Sequence, residues 1–259
     1  MKLVVLSDLH VTPEWRELSG IPSSWRLERA VETVNADYAD ADLVIVNGDI
    51  THHGSEAGYR LAKASLDRLA RPLWLGLGNH DRRHTFATVF GSDHLTEGFA
   101  QRAARIGEYG VVMLDTNGGG DEPDSPKVDV GRLCPRRLDW FGRQLAAFSD
   151  RPVVVVLHHT VVPLEMSVDA TALAEREAFL DAIAAHGDVR LVLSGHVHLD
   201  STAWRGGTAF VTLSGNDFTT TAVHGRTHDR REKRTPGEGA FAVILGRRDH
   251  LTTHFVRYA

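Results

Sequence analysis

The chain has 259 residues, of which 42% are hydrophobic, and a formal charge of −5 at pH 7. This composition permits a sizeable core and provides no excess of cations, so an extended nucleic-acid-binding surface is not expected. The single cysteine, Cys134, cannot form an intrachain disulfide, which fits a reducing compartment. Polar Ser7 and Asp8 follow the N-terminus too closely for a signal peptide, and the longest apolar run, Val153 to Leu157, is too short to span a membrane. A cytoplasmic protein without a membrane segment is therefore predicted.

Short apolar runs alternate with segments of helical composition along most of the chain. Such alternation predicts an α/β fold, and apolar runs of this length are typical of strands covered on both faces. Ser23-Ser24 is predicted to cap the first helix, Pro135 to lie in the first turn of a later one, and Gly187 to end the last. In chain order, the elements are strand Leu3–Leu6, helix Trp25–Ala36, strand Leu43–Val46, helix Ala57–Ala70, strands Leu73–Leu77 and Val111–Leu114, helix Pro135–Phe148, strand Val153–Leu157, helix Leu173–His186 and strand Leu191–Leu193.

The C-terminal part, from about residue 200, contains strand-like runs without helices between them, which predicts antiparallel β-structure. These runs are Thr208–Leu213, Ala240–Leu245 and Leu251–Val256. Two irregular stretches, Asn117–Asp129 and the arginine-rich His224–Gly239, are predicted to be long loops. Because no repeat or linker divides the chain, a single domain of residues 1–259 is predicted, with its C-terminal part rich in β-structure.

Polar residues that can bind metals follow five of the predicted strands. The carboxyl ends of strands in α/β sheets line one edge, where ligands bind, so the five clusters are expected to converge. In Asp8-x-His10 and His196-x-His198, the alternation of side chains along an extended chain puts both side chains on one face. The clusters are Ser7-Asp8-Leu9-His10, Asn47-Gly48-Asp49, Gly78-Asn79-His80-Asp81, His158-His159 and Ser194-Gly195-His196-Val197-His198.

The expected set combines carboxylates, an amide and imidazoles, with no thiolate. Such a mixture favours Zn, Mn, Fe or Co over Ca, which prefers oxygen ligands. The set is also larger than the three or four protein ligands of one catalytic ion. Two divalent transition-metal ions that share a bridging carboxylate account for its size, and their identity is left open.

Five motifs together resemble the signature of the calcineurin-like metallophosphoesterases, and the resemblance extends from residue 3 to about residue 215. The motifs are Asp8-x-His10, Gly48-Asp49, Gly78-Asn79-His80-Asp81, His158 and Gly195-His196-Val197-His198. Within that superfamily, the chain is most similar to the bacterial class III cyclic-nucleotide phosphodiesterases and the related glycerophosphodiesterases. Three segments carry this closer similarity: Leu18–Asn35, Leu114-Asp115-Thr116-Asn117 and the helix around Leu138-Asp139-Trp140. One departure is Thr160-Val161-Val162-Pro163, which follows the double histidine where the subgroup often has two prolines.

The resemblance implies a four-layer αββα sandwich, in which two mixed β-sheets are flanked by helices. It also implies roles for the motif residues. His80 would lie outside the metals as the general acid facing the leaving group, and Asp81 would help to keep it protonated. Asn79, His80 and His159 would contact substrate, although for His159 the alternative of orienting a metal ligand is favoured. In the implied ligand set, Asp8, His10 and His198 hold one ion, Asn79, His158 and His196 hold the other, and Asp49 bridges them.

The implied activity is hydrolysis of small phosphodiesters, either 3′,5′-cyclic nucleotides or glycerophosphodiesters, by in-line attack of a hydroxide shared by two metal ions. A broad phosphomonoesterase, a nuclease and a non-catalytic scaffold of the same fold are the alternatives. The missing basic surface disfavours the nuclease, and the complete ligand set disfavours the scaffold. Relatives in the subgroup are commonly dimers or larger, so a homo-oligomer is expected. His52, His53 and the Arg226–Arg234 loop could reach substrate, but solvated loop positions are favoured for them.

Overall fold

Two mixed sheets form the centre of the computed structural model, which describes residues 1–13, 21–118, 128–221 and 233–258. The strands are β1 Lys2–Leu6, β2 Leu43–Asn47, β3 Leu73–Gly76, β4 Arg102–Ile106, β5 Tyr109–Leu114, β6 Val153–Leu157, β7 Val189–Ser194, β8 Ser201–Arg205, β9 Thr208–Thr212, β10 Phe218–Thr221, β11 Lys233–Pro236, β12 Gly239–Gly246 and β13 Leu251–Tyr258. The helices are α1 Ser23–Asp37, α2 Glu56–Leu66, α3 Arg83–Phe90, α4 Pro135–Ala147 and α5 Arg176–His186, with short 3-10 helices at Ser92–His94 and Ser167–Thr171.

The first sheet has the strand order β13-β12-β1-β2-β3, and the second has the order β4-β5-β6-β7-β9-β8. In the first, β1, β2 and β3 are parallel, while β12 runs antiparallel to β1 and β13 antiparallel to β12. In the second, β5, β6, β7 and β9 are parallel, and β4 and β8 are antiparallel edge strands. Strands β10 and β11 form a separate two-stranded ribbon.

Alternate residues of the central strands face different apolar layers. In β1, Leu3 and Val5 pack between the two sheets, whereas Val4 and Leu6 pack with α1 and α2 on the outer face. Strand β6 shows the same alternation, with its outer residues packed against α4 and α5. Because side chains of a strand point alternately to its two faces, each central strand must be apolar throughout. The result is a four-layer αββα sandwich, which confirms the predicted fold class.

Several predicted boundaries are wrong. Helix α2 ends at Leu66 instead of Ala70, and α5 begins at Arg176 instead of Leu173. Pro22 occupies the N-cap of α1, and no side-chain cap is formed there, so Ser23-Ser24 does not have the predicted role. Pro135 and Gly187 do lie where predicted, in the first turn of α4 and in a left-handed conformation after α5.

The C-terminal part is only partly antiparallel. Strands β12 and β13 pair as predicted, but β9 also pairs in parallel with β7 and so extends the central sheet. Strand β11, Lys233–Pro236, lies inside the stretch predicted as the loop His224–Gly239. Residues 222–232, which include most of the Arg226–Arg234 loop, lie outside the described residues. Among the described residues, no helix has both the length and the apolar character needed to cross a bilayer.

A buried ion-pair network connects the loop after β5 to α3 and α4. The Asp115 carboxylate lies 3.1 Å from Arg83 Nη2 and accepts a hydrogen bond from the backbone N–H of Ala100 at 2.9 Å. Arg137 donates to the backbone oxygens of Asp115 and Asn117. Burial would raise the pKa of Asp115, but the two guanidinium groups and the N–H donors outweigh burial and lower it.

We expect Asp115→Asn to reduce the free energy of unfolding by about 3–5 kcal/mol, because it removes the buried carboxylate that Arg83 and Arg137 share. The folded-state pKa is lowered, so the contribution is complete above the unfolded value of about 3.9 and is lost as pH falls through the folded value. Urea unfolding should thus show the full difference at pH 7 and a shrinking one below about pH 4. Asp150→Asn, in the exposed pair with Arg151, is the control and should change stability by less than about 1 kcal/mol.

Candidate metal centre

The five polar clusters follow β1, β2 and β3 of one sheet and β6 and β7 of the other, and they meet at one end of the sandwich. The loops after β1 and β2 are joined by backbone hydrogen bonds, from Asp8 N to the Gly48 oxygen at 3.1 Å and from His10 N to the Asp49 oxygen at 2.9 Å. The backbone N–H of Gly195 donates to the His158 oxygen at 3.0 Å, which joins the loops of the second sheet in the same way. Backbone hydrogen bonds therefore hold the loops of each sheet together at this end of the sandwich.

Five of the predicted metal ligands have a left-handed backbone conformation that non-glycine residues rarely adopt. Such conformations cost about 1–3 kcal/mol each and persist where the surrounding structure enforces them, commonly at functional sites. The φ angles are 53° at Asp8, 44° at His10, 49° at Asp49, 70° at His196 and 52° at His198. The extended chain expected at Asp8-x-His10 and His196-x-His198 is therefore wrong.

Asp49 lies between the two groups of predicted ligands. Its Oδ2 atom is 3.5 Å from His10 Nε2 and 3.5 Å from His158 Nε2. Its Oδ1 atom accepts a hydrogen bond from the backbone N–H of His80 at 2.8 Å. With Oδ1 held in this way, Oδ2 faces the imidazoles of both groups, as a bridging oxygen requires.

Asp8, His10 and His198 form the first group. One ligand atom from each lies within 4.8 Å of the others. His10 Nε2 is 3.1 Å from His198 Nε2, which is 3.4 Å from Asp8 Oδ1. The ring of His198 stacks on Phe218, and its Nδ1–H donates to the Phe218 oxygen at 3.0 Å. That hydrogen bond leaves Nε2 unprotonated in the neutral ring and able to bind a metal.

Asn79, His158 and His196 form the second group. The amide oxygen of Asn79 is 3.2 Å from His158 Nε2 and 3.0 Å from His196 Nδ1. His158 Nδ1–H donates to the Asn47 oxygen at 2.9 Å, which leaves Nε2 as the ligand atom. The hydroxyl of Thr171 donates to the Val168 oxygen and therefore accepts from His196 Nε2–H at 2.7 Å. His196 consequently presents its unprotonated Nδ1 to the site.

These residues fit divalent transition-metal ions. Ring nitrogens, carboxylate oxygens and an amide oxygen approach one another at 3.0–3.5 Å, and the second ring nitrogens of three of these histidines hydrogen bond to oxygens, as is usual for metal-ligating imidazole. Burial lowers the pKa of His196 to about 3 and that of His10 well below its usual value, so both rings are neutral. Burial opposes the charged form of His158 too, but the Asp49 carboxylate outweighs it and raises the pKa to about 9. A bound cation would take the place of that proton.

His80 lies beside the first group and not within either. Its backbone N–H contacts Asp49, and its Nδ1–H donates to the backbone oxygen of His52 at 2.7 Å. The His80 and His10 rings meet edge to face, with centroids 4.7 Å apart. His80 is half-buried and lines the cavity in front of the predicted ligands, as the predicted role of the residue requires.

Asp81 has a structural role that was not predicted. Its buried carboxylate accepts hydrogen bonds from the backbone N–H groups of Ile50, Thr51 and Gly78 and from the hydroxyl of Tyr59. The group placed at His80 Nδ1 is the His52 oxygen and not Asp81. Burial and the nearby Asp49 charge raise the pKa of Asp81 to about 7. Asp81 joins the loops after β2 and β3, and its help in keeping His80 protonated stays a prediction.

His159 is buried behind the site. Its side chain is fully inaccessible to solvent, its Nδ1 lies 2.8 Å from Thr116 Oγ1, and it is absent from the described residues that line the cavity. The prediction of direct substrate contact is therefore wrong. The alternative, a role in orienting the site, agrees with the packing of its ring against His196, at a centroid distance of 4.7 Å.

The cavity in front of these groups has a volume of about 360 Å³. Three lining residues that were not predicted from the sequence contact predicted metal ligands. Asp129 accepts a hydrogen bond from Asn79 Nδ2 at 2.9 Å, which turns the amide oxygen of Asn79 toward the two histidines. Thr171 orients His196, and Phe218 supports His198. Asp129 ends a loop that the sequence marks as long and polar, whereas no sequence signal distinguishes Thr171 or Phe218.

Five predicted ligands also line the cavity: His10, Asp49, Asn79, His196 and His198. The other lining residues are His52, His80, Ser167, Val168, Val197 and Thr220. None of these described lining residues is a lysine or arginine. Two histidines in the loop after β2 were considered as possible substrate contacts. His52 lines the cavity, whereas His53 is exposed.

Gly195 allows the loop after β7 to approach the loop after β1. A Cβ atom at this position would overlap the Ser7 hydroxyl and lie 2.5 Å from Asp8 Oδ2. Gly78 has a similar place beside Asp49 and His158, where a Cβ atom would lie 2.6 Å from His158 Cε1. Both glycines of the motifs therefore provide space for the predicted ligands.

Comparison with known proteins identifies the family. Residues 1–200 match the calcineurin-like phosphoesterases. The chain belongs to this family. A protein of Rhodopseudomonas palustris named a probable cyclic nucleotide phosphodiesterase is 33% identical over 80% of this chain and 75% of its own length. A 3′,5′-cyclic adenosine monophosphate phosphodiesterase of Pseudomonas aeruginosa is 31% identical over 79% of this chain and 72% of its own.

A protein of Arcobacter nitrofigilis named a probable glycerophosphodiester phosphodiesterase is 26% identical over 79% of this chain and 74% of its own length. Among solved structures, a dimetal phosphatase from Danio rerio superimposes with a TM-score of 0.75 at 16% identity and covers 100% of this chain and 99% of its own. This structural likeness supports the fold alone. The family and the subgroup similarity expected from the motifs are confirmed.

We expect Gly195→Ala to weaken metal binding strongly, because the new methyl group displaces Ser7 and Asp8. The measurement is the number of Mn or Zn ions retained per chain after dialysis, determined by elemental analysis. Gly142→Ala is the control, since a Cβ atom at Gly142 in α4 has open space around it. Retention of the same number of ions by the Gly195→Ala and wild-type proteins would contradict the assignment of Asp8 as a ligand.

Proposed function

We propose that this phosphoesterase is a binuclear metal-dependent phosphodiesterase that hydrolyses small phosphodiesters, with 3′,5′-cyclic nucleotides as the favoured substrates and glycerophosphodiesters as the second class. The observation that supports it best is the position of Asp49 Oδ2, 3.5 Å from an imidazole of each predicted ligand group. Two relatives named as cyclic nucleotide phosphodiesterases are 33% and 31% identical to this chain, and one named for glycerophosphodiesters is 26% identical.

The predicted ligand assignments stand within this proposal. Asp8, His10 and His198 would hold one ion, Asn79, His158 and His196 the other, and Asp49 would bridge them. When bound, two divalent ions would offset the charge of the phosphoryl oxygens and activate the attacking water. Mn, Fe, Zn and Co all suit this mixture of nitrogen and oxygen ligands.

His80 would supply the proton that an alkoxide leaving group needs. Its Nδ1–H already donates to the His52 oxygen, so a protonated ring carries its second proton on Nε2. The ring lines the cavity beside the first ligand group, within reach of a leaving group held there. General acid catalysis by a group placed in this way typically contributes about 10²–10⁴-fold.

The charge of the cavity favours a phosphodiester over a phosphomonoester. The described lining residues include the carboxylates of Asp49 and Asp129 but no lysine or arginine. A diester carries one negative charge, whereas a monoester carries close to two at pH 7, so the monoester would place more negative charge beside the carboxylates that line the cavity. Substrates with several phosphates are disfavoured for the same reason.

Rates on matched substrates test this proposal. After chelation and reloading with Mn, Zn, Fe or Co, we expect the protein to hydrolyse 3′,5′-cyclic AMP and glycerophosphocholine faster than 5′-AMP, and to lose all activity in the chelator. Faster hydrolysis of the monoester would point to a phosphatase instead. A protein that binds metal but hydrolyses none of these substrates or bis(p-nitrophenyl) phosphate would contradict the enzymatic assignment.

His80→Ala should lower kcat on cyclic AMP by about 10²–10⁴-fold. It should lower kcat on bis(p-nitrophenyl) phosphate much less, because p-nitrophenolate leaves without a proton. His84→Ala, an exposed position in α3, is the control and should leave both rates unchanged. An equal loss on both diesters would show that His80 does not deliver the proton to the leaving group.

A further inference from the structure

His10 differs from the other three histidines of the predicted ligand set in what its second ring nitrogen contacts. His158, His196 and His198 each hydrogen bond to an oxygen through that nitrogen. The Nδ1 atom of His10 instead lies 3.2 Å from the Nδ1 atom of another imidazole, that of His52. No predicted role explains this contact, because His52 is not one of the motif residues.

The proton positions follow from the distances. His10 Nε2 faces the other predicted ligands, at 3.1 Å from His198 Nε2 and 3.5 Å from Asp49 Oδ2. A neutral imidazole that binds a metal through Nε2 carries its proton on Nδ1. The hydrogen bond between the two rings then runs from His10 Nδ1–H to His52 Nδ1, and the proton of His52 is on Nε2.

The backbone of His52 is fixed by the elements around it. Its N–H donates to the Val11 oxygen at 3.1 Å, and its oxygen accepts from His80 Nδ1–H at 2.7 Å. The preceding residue, Thr51, donates its N–H to the Asp81 carboxylate at 3.2 Å. His52 therefore contacts His10 through its ring and His80 through its backbone. Hydrogen bonds of the backbone N–H groups of Thr51 and His52 hold this segment in place.

We propose that His52 is a positioning residue that orients His10 as a metal ligand through its ring while its carbonyl oxygen orients His80. This inference rests on the proposed function, because it takes His10 as a ligand and His80 as the proton donor. Partners of this kind for ligand imidazoles typically contribute about 10–100-fold to metal affinity. A histidine in this place sets the tautomer of His10, as a carbonyl oxygen does for His158 and His198.

The same three rings could hold an additional ion, since ligand atoms of His10, His52 and His80 lie within 4.8 Å of one another. That arrangement would require His10 to lose the proton from both ring nitrogens, because Nε2 already faces the first ligand group. It would also leave His80 only Nε2 as a ligand atom, since its Nδ1–H donates to His52. A hydrogen bond between His10 and His52 needs neither change, and it is the arrangement that we propose.

The test compares His52→Ala, His52→Asn and the control His84→Ala by Zn titration calorimetry. An asparagine oxygen lies two bonds from Cβ, as Nδ1 of histidine does, so it can accept the same proton. We expect wild type and His84→Ala to bind two ions, His52→Ala to bind one of them about 10–100-fold more weakly, and His52→Asn to recover most of the loss. All metal-free forms should have the same Tm within a few degrees, because His52 is half-buried.

Proton NMR of the Zn-loaded protein gives a readout that does not depend on activity. A slowly exchanging ring proton assigned to His10 Nδ1 should be present in wild type and lost in His52→Ala. Unchanged affinity for both ions together with retention of this proton in His52→Ala would overturn the inference and leave the proposed function intact. A third ion in wild type that His52→Ala loses would show that His52 is a ligand and overturn it too. Failure of wild type to bind two ions would overturn the proposed function, and the inference with it.

Discussion

Asp49 occupies the position on which the rest of the site depends. Its Oδ2 atom stands at equal distances from His10 and His158, and its Oδ1 atom is held by the backbone of the loop that carries His80. Two buried carboxylates, Asp8 and Asp49, lie here beside His10 and His196, whose pKa values burial lowers. Such a concentration of buried acceptors is costly unless cations or hydrogen bonds offset it. The left-handed backbone at five predicted ligands also costs free energy of folding, which the packing of the sandwich must offset.

The fold provides that support by bringing two sheets to one point. Strands β1 to β3 deliver Asp8, His10, Asp49 and Asn79. Strands β6 and β7 deliver His158, His196 and His198 from the opposite sheet. The apolar layer between the sheets fixes their relative position, so side chains such as Val5 and Val156 determine how closely the predicted ligands of one sheet approach those of the other. Backbone hydrogen bonds between the loops then determine the finer geometry. The site is therefore a product of sheet packing and not of one local motif.

Most of the fold and of the candidate ligand set could be predicted, because the sequence patterns that indicate them are local. Apolar runs that stop at Asp8 or Asn79 identify both a strand and the residues at its end, and the order of the motifs identifies the family. What could not be predicted depends on contacts between distant segments. Asp81 is adjacent to His80 in sequence, yet its carboxylate faces the loop after β2. The parallel pairing of β9 with β7 and the contact between Thr171 and His196 likewise depend on tertiary packing, which periodicity does not encode.

The 3-10 helix that contains Thr171 belongs to the wall of the cavity and also holds the imidazole of His196. A wall segment that meets the substrate is the part of an enzyme most free to vary when a new substrate is acquired. In this protein such variation would also move His196, a predicted metal ligand. Substrate preference and metal preference would then evolve together, and a loop exchange designed to alter one of them should be expected to alter the other.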